Sequence, residues 1–445
     1  MSASYRITDD LFAIPYSDKF ILYSPLRRLG FLVNGTVVQL LRDIETGKKH
    51  QRELTPDELD VITVFEKARI LNGTAQDPFA DRNTPFLPTE TTLFLTTKCN
   101  LYCSYCYAGA GETKRLTLSP RIAKAAVDYV VGNAVRAGGE SIGVGFHGGG
   151  EPTLAWSVLK ATVEHAHNRA RQYNLKANIS MATNGVMPTR KINWIIDNFT
   201  GLNLSFDGVE DVQNQQRPMV NGAPTFAAVL KTVERMDQSN FPYGIRATVT
   251  RLNVHSMGEF IEFLGTNTNA RTVHFEPTFS CGRCVKTGVD APTAQEFIEG
   301  YRAAEHSAAR YGITVLYSGA RSYTLTDRFC EAAGNSFCVT ADGFVSSCYE
   351  VFSQEDPRSA VFFYGRYDEQ SGGFSLAAER LATLQSRVVG NIDYCRDCFC
   401  KYHCAGDCLT RSTDGVRLND INSDYRCELN RALTRDQIVR LVCGQ

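Results

Sequence analysis

Fifteen cysteines are distributed very unevenly along this chain of 445 residues: none precedes Cys99, and nine fall between Cys330 and Cys427. So many thiols are either oxidised in pairs or committed to metal, and each choice restricts the fold differently. Disulfides need an oxidising compartment, which normally means an export signal. The first residues, MSASYRITDDLFAIPYSDKF, carry acidic and polar groups where a signal peptide has a basic region followed by an apolar one. No apolar run reaches the roughly 18 residues that span a bilayer, since AAVDYVVGNAV is broken by Asp128 and Gly132. The expectation is a cytoplasmic protein whose reduced thiols are available to metal. With 47 Lys plus Arg against 48 Asp plus Glu, the net charge of -1 gives no bulk electrostatic case for nucleic acid or an anionic membrane.

At about 150 residues per domain the length allows about three domains, and composition separates three regions. Residues 1–80 lack cysteine and read as short strands (LFAIPYS, KFILYSP, LGFLVNG) followed by helices in TVVQLLRDIE and TPDELDVITVFEKARIL. Thr55-Pro56-Asp57-Glu58 supplies an N-cap, a proline for the first turn and acids facing the helix dipole. A small, winged-helix-like β-then-α module is expected, joined by the proline-rich linker QDPFADRNTPFLPTE. Over residues 88–320, strands of buried type (TTLFLTT, SIGVGFHG, KANISMATN, GLNLSF, YGIRATVT, RTVHFEP) alternate with amphipathic helices such as SPRIAKAAVDYVVGNAVRAG and WSVLKATVEHAHNRARQYN. That alternation predicts parallel β/α packing, with ligands at the C-terminal ends of the strands. Residues 325–445 are cysteine-dense and too poor in apolar residues to fold well without metal.

Immediately after TTLFLTT, Cys99, Cys103 and Cys106 stand in a Cx3Cx2C spacing. Three thiolates can bind three irons of a cubane [4Fe–4S] cluster and leave the fourth iron open; a zinc ion would want four ligands, or three and a water. Further polar and glycine-rich groups follow successive predicted strands: His147-Gly148-Gly149-Gly150-Glu151-Pro152, Ala182-Thr183-Asn184-Gly185 and Ser205-Phe206-Asp207-Gly208. The Cx3Cx2C with Tyr105 before its last cysteine, followed in order by GGEP, TNG and SxDG segments, resembles the signature of the radical S-adenosylmethionine (SAM) superfamily.

The resemblance implies an α/β fold, a partial (β/α)6 TIM-like barrel. It also implies that SAM is bound by Gly149, Gly150, Glu151, Thr183, Asn184, Ser205 and Asp207, with the Arg246 guanidinium matching the SAM carboxylate. The chemistry implied is reductive cleavage of SAM to a 5'-deoxyadenosyl radical that removes hydrogen from an unactivated C–H bond. An external one-electron reductant such as a flavodoxin or ferredoxin would supply the electron.

The C-terminal cysteines read Cys330-x7-Cys338-x9-Cys348, Cys395-x2-Cys398-x5-Cys404-x3-Cys408, then Cys427. Eight thiolates would ligate two [4Fe–4S] clusters fully, or two zinc ions. The spacing resembles the SPASM extension of radical SAM enzymes, which implies a nearer cluster on Cys330, Cys338, Cys348 and Cys408 and an outer one on Cys395, Cys398, Cys404 and Cys427. With the first cluster, this makes three [4Fe–4S] clusters. Cys281, Cys284, Cys400 and Cys443 have no assigned task; Glu276-Pro277 with Gly282-Arg283 match an EP…GR stretch of the family that needs neither Cys281 nor Cys284.

Enzymes of this type mostly modify peptides, and the N-terminal module resembles the peptide-recognition element of maturases acting on ribosomally made precursors. Such an element adds a leader peptide as an extra strand. The expected activity is hydrogen abstraction leading to an intrapeptide crosslink, whether thioether, carbon–carbon or ether, with the peptide's leader and core as partner. Anaerobic sulfatase maturation is the alternative within enzymes; there an aspartate follows the third cysteine of the nearer cluster, whereas here Tyr349 and Glu350 follow Cys348. Those two are the candidate proton acceptors. A non-catalytic iron–sulfur or zinc protein is the alternative of another class, though it has no use for the GGEP, TNG and SxDG positions.

Overall fold

The computed structural model describes residues 5–73, 78–79, 85–112, 114–412, 418–421 and 424–444. Much of the linker expected at 76–90 lies outside them. Near the N-terminus, β1 (Phe12–Tyr16), β2 (Lys19–Ser24) and β3 (Leu29–Val33) form an antiparallel meander. Two helices, α1 (Gly35–Glu45) and α2 (Pro56–Lys67), follow. The expected cap forms: the Thr55 hydroxyl accepts from the Glu58 N–H at 3.3 Å and Glu58 accepts from the Thr55 N–H at 2.9 Å, with Pro56 in the first turn. Strand alternation sends Leu22 toward Val38, Leu41, Ile62 and Phe65 of the helices. The opposite face, Ile14, Ile21 and Tyr23, packs on Ile438 of the terminal helix Asp424–Cys443.

The main sheet begins with β4 (Glu90–Leu93), β5 (Ser141–Phe146), β6 (Lys176–Thr183), β7 (Gly201–Ser205), β8 (Tyr243–Val249), β9 (Thr272–Pro277) and β10 (Thr314–Leu316). Each is parallel to the next. Between them run α3 (Pro120–Arg136), α4 (Trp156–Gln172), α5 (Thr189–Asn198), α6 (Glu210–Gln216), α7 (Phe226–Gln238), α8 (Met257–Asn267) and the helix Ala294–Tyr311. The strands are not buried on both faces as their apolar runs suggest. Ile142, Val144, Phe146, Ile245, Ala247 and Val249 belong to the apolar core, whereas the alternate positions Gly143, Gly145, Ser205 and Arg246 are small or polar and partly open. The two faces of the parallel strands thus differ, one apolar and one small or polar.

Four more strands extend the same sheet: β11 (Cys338–Val339), β12 (Phe344–Ser346), β13 (Phe363–Asp368) and β14 (Gly373–Leu376). β11 lies parallel to β4, with Cys338 opposite Thr92, and the others continue as an antiparallel meander. The cysteine-rich region is therefore continuous with the first strand of the parallel sheet. This brings its thiols toward the ends of the strands that carry the GGEP and TNG segments.

Candidate functional site

The Cx3Cx2C loop leaves β4 and is held by backbone from three directions. Residues 216–220 pair with it on one side: Tyr102 N–H donates to Pro218 O at 2.8 Å, Ser104 N–H to Gln216 O at 2.9 Å, and Val220 N–H to Asn100 O at 3.0 Å. Beneath it, Glu151 N–H donates to Lys98 O at 2.8 Å, and a Cβ on Gly150 would stand 2.1 Å from that same carbonyl. The glycine run thus lets one backbone approach another.

On the third side Arg283, whose side chain is fully buried, clamps the loop. Its backbone N–H donates to Cys106 O at 2.9 Å, Nη1 to Cys103 O at 2.7 Å, Nη2 to Ala110 O at 2.8 Å and Nε to Glu112 at 2.7 Å. The guanidinium also lies 3.8 Å from the centre of the Tyr102 ring. The preceding Gly282 (φ +53°) is needed there, because a Cβ would come within 2.3 Å of Tyr107 O.

Several polar residues at the strand ends face inward. Glu151 is buried and accepts from Thr183 Oγ1 at 2.9 Å, Asn184 N–H at 2.9 Å and Thr153 N–H at 3.1 Å. Asp207, also buried, accepts from the Tyr105 hydroxyl, Gln216 Nε2 (3.0 Å) and Thr248 N–H (3.1 Å), with Arg217 at 4.0 Å. Burial pushes the Asp207 carboxyl up against the pull of Arg217. Glu151, Thr183 and Asp207, expected as cofactor contacts, are spent on tying the strand ends to one another and to the cysteine loop. All three are almost fully buried.

Asn184 is different: its amide nitrogen reaches Asn100 Oδ1 at 2.9 Å and the Cys99 sulfur at 3.8 Å. Ser205 and Arg246 are register partners on neighbouring strands, and Arg246 is exposed. The charge of Arg246 acts on His147 and Tyr107.

His147, the residue that precedes the GGEP glycines, sits two residues beyond Gly145 at the end of β5. Its Nδ1 is buried without a hydrogen-bond partner among the described residues, and its ring stacks on Tyr349 at 4.9 Å. Burial and Arg246 push the imidazole down to about 4, against Glu350, so the ring is neutral near pH 7. Glu350 itself accepts from Arg411 at 2.6 and 2.9 Å and from Thr410 at 2.8 Å. Burial raises its carboxyl, and Arg411 and Thr410 more than offset that. The Tyr349 hydroxyl is 3.5 Å from Thr92 Oγ1, and burial pushes it up.

The C-terminal thiols gather in two places. Cys330, Cys338, Cys348 and Cys408 act on one another electrostatically, and burial raises all four, Cys330 to about 12. Cys395, Cys398, Cys404 and Cys427 line one small pocket, together with Cys400. The Cys400 thiol, fully buried, donates to Asn430 O at 3.7 Å, and its proximity lowers Cys398 to about 6 against the effect of burial. Among the described residues no three His, Cys, Asp or Glu side chains close on a single ion. Cys281 and Cys284 stay out of both groups, Cys284 lying 3.2 Å from Thr278 Oγ1, and Cys443 packs against the N-terminal sheet.

Residues 93–264 match the model of the Radical SAM superfamily. The chain carries a radical SAM domain. An uncharacterized protein of Methanocaldococcus jannaschii is 30% identical over 173 residues, 39% of this chain and 57% of that protein. The sporulation killing factor maturation protein SkfB of Bacillus subtilis is 23% identical over 273 residues, 59% of this chain and 60% of the other. The match thus spans less than two thirds of either relative. A serine-type anaerobic sulfatase-maturating enzyme of Klebsiella pneumoniae is 23% identical over 329 residues, covering 70% and 78%.

Among solved structures, native anSMEcpe with bound AdoMet superposes with a TM-score of 0.61 at 16% identity, covering 79% of this chain and 98% of that one. Streptococcus suis SuiB bound to S-adenosylmethionine gives 0.54 at 12% identity over 94% and 99%. At these identities the likeness is one of fold. It agrees with the radical SAM α/β architecture and its parallel strands.

Proposed function

We propose that this radical SAM protein is a peptide maturase that abstracts hydrogen from a precursor peptide and installs an intrapeptide crosslink, using three [4Fe–4S] clusters. The observation that supports this reading is the Cx3Cx2C loop clamped by Arg283 at the ends of parallel strands, with Cys395, Cys398, Cys404 and Cys427 lining one pocket in the C-terminal region. A protein that only stored or carried iron would not need the GGEP and TNG strand ends braced against that loop.

The residues present fit the cofactors. Burial pushes the Cys99 thiol up to about 11 and Cys103 to about 12, so these groups ionise readily only against positive charge placed among them. Cys99, Cys103 and Cys106 would hold the first cluster, and Cys330, Cys338, Cys348, Cys408 and Cys395, Cys398, Cys404, Cys427 the other two. Asn184, Ser205, Arg246 and the Gly149-Gly150 backbone would face SAM. Glu151, Thr183 and Asp207 would position that surface from behind. When bound, the first cluster and SAM together supply one-electron reduction of the sulfonium and the hydrogen-atom abstraction that follows.

The chain's own residues then orient the peptide, exclude water and take up a proton. Burial keeps the Tyr349 phenol protonated and the His147 imidazole weakly basic, which leaves the Glu350 carboxylate, held ionised by Arg411 and Thr410, as the proton acceptor of the three. In the N-terminal module, β3 is an edge strand, paired only with β2 among the described residues, which suits addition of a leader peptide. Sulfatase maturation is the second reading, favoured by the coverage of sulfatase-maturating relatives and set against by Tyr349-Glu350 after Cys348.

Anaerobically reconstituted protein given dithionite and SAM should release 5'-deoxyadenosine, and the Cys99, Cys103, Cys106 triple Ala variant should release none. Absence of 5'-deoxyadenosine from wild type would refute the enzyme reading. With a co-expressed peptide, a product about 2 Da lighter and unreactive toward an aldehyde-specific hydrazide is the crosslink; a hydrazide-reactive product is formylglycine.

A further inference from the structure

Arg387 is 2% exposed, yet most of its guanidinium is unpartnered. Nη2 donates to Gly406 O at 2.8 Å, while Nε and Nη1 are shut off from solvent with no hydrogen-bond partner among the described residues. The groups whose charge acts on it are Cys395 and Cys404 of one thiol set, Cys408 of the other, and Asp407. Asp407 does not satisfy it, because both its oxygens are held by Arg426 at 2.6 and 2.9 Å. The placement is close: Gly406 has φ +78°, and a Cβ there would stand 2.3 Å from Ile392 Cδ1 and 3.1 and 3.2 Å from Nη1 and Nη2, so glycine suits the turn on both counts.

A buried cation with two idle donors is strongly unfavourable unless an anion meets it. The thiols around Arg387 could provide that anion only as thiolates, and buried thiols become thiolates when they ligate metal.

We propose that Arg387 is the resident counter-ion of the two C-terminal iron–sulfur clusters, donating Nε–H and Nη1–H to thiolate or cluster sulfur and favouring their reduced forms. This rests on the reading of the eight C-terminal thiols as ligands of two [4Fe–4S] clusters. A tetrathiolate cluster gains one electron and no proton on reduction, so its negative charge grows by one. A fixed cation and N–H donors beside it stabilise the reduced state more than the oxidised one, a known lever on cluster potential. Held at Gly406, two residues from Cys404 of one set and two from Cys408 of the other, Arg387 acts on both potentials together.

The test is an EPR-monitored redox titration, with dithionite as electron source, of full-length reconstituted wild type, R387Q and R387K. R387Q, at full iron content, is expected to shift the C-terminal cluster midpoints about 60 mV downward, a tenfold change in the oxidised-to-reduced ratio at fixed potential. R387K, which keeps the charge, should stay close to wild type. Unchanged midpoints in R387Q overturn the proposal.

A second readout separates this role from a structural one. In metal-free protein R387Q should melt no lower than wild type, since an uncompensated charge is removed, whereas in reconstituted protein it should lose iron faster to a chelator. Destabilisation of the metal-free form overturns the proposal. If R387Q takes up no iron, R387K decides: uptake supports the charge argument and failure overturns it. Zinc in place of iron in the C-terminal sites of wild type would instead overturn the underlying reading, before any variant is compared.

Discussion

Replacing Arg283 with methionine isolates the clamp on the Cx3Cx2C loop. The change keeps the apolar stem and removes three side-chain hydrogen bonds, to Cys103 O, Ala110 O and Glu112, plus the contact with the Tyr102 ring. Hydrogen bonds from a charged donor contribute about 1.5–3 kcal/mol each, and the two carbonyls stranded beside the loop cost about 1–3 kcal/mol each. Against this, removing a buried guanidinium relieves a desolvation penalty of several kcal/mol. A net loss of about 3 kcal/mol is therefore expected, roughly 150-fold in the equilibrium for opening the loop.

At roughly 2 °C per kcal/mol for a large domain, the melting temperature should fall by about 6 °C. Iron should also leave the first cluster faster than it does with Arg283 in place, both followed by chelator release in a background lacking the C-terminal cysteines. R283K should rescue little, because an ammonium cannot span three acceptors in the fixed geometry of the guanidinium fork. An R283M protein with unchanged melting and unchanged iron retention would refute the argument that this arginine holds the loop.

The Glu112 carboxyl is lowered to about 2 by hydrogen bonds from Lys286 and Arg283. A depressed acid contributes stability above its unfolded pKa of about 4.3 and loses it as pH falls toward 2. Acid unfolding between about pH 4.5 and 2 should therefore be shallower in E112Q, and an identical acid profile would contradict this ion pair. Gly150→Ala forces a Cβ toward Lys98 O, 2.1 Å away, so the loop must shift and the first cluster should fail to assemble while the C-terminal iron remains; full iron in this variant would contradict the close approach. Tyr105→Phe removes the hydroxyl between Asp207 and Arg217, and should cost about 1–3 kcal/mol in thermal unfolding.

Local features of the fold were legible in the sequence. The spacing of Cys99, Cys103 and Cys106, the Thr55 cap and the strand alternation of SIGVGFHG and YGIRATVT are all written within a few residues of one another. Three-residue β10 and two-residue β11 carry no periodic signal, so the continuity of the cysteine-rich region with the parallel sheet was not readable. Glu151, Thr183 and Asp207 stand out through the GGEP, TNG and SxDG resemblance, but residue type does not reveal whether a carboxylate points to a ligand or to a neighbouring N–H.

Arg283 was quoted only as part of a family stretch, since the carbonyls it clamps lie about 180 residues earlier in the chain. Arg387 and His147 gave no sequence signal. A single arginine or histidine is informative only when its surroundings show what it lacks.

The central claim is that eleven of the fifteen cysteines hold three iron–sulfur clusters. Mössbauer spectroscopy with iron and sulfide analysis of anaerobically reconstituted protein tests it most directly. At four irons per cluster, the account predicts about 12 irons per chain, all in [4Fe–4S] form. About four should be lost in each of three variants: Cys99, Cys103, Cys106 to Ala; Cys338, Cys348 to Ala; and Cys395, Cys404 to Ala. About four irons in wild type with zinc in the C-terminal sites, or losses that do not separate by set, would contradict it.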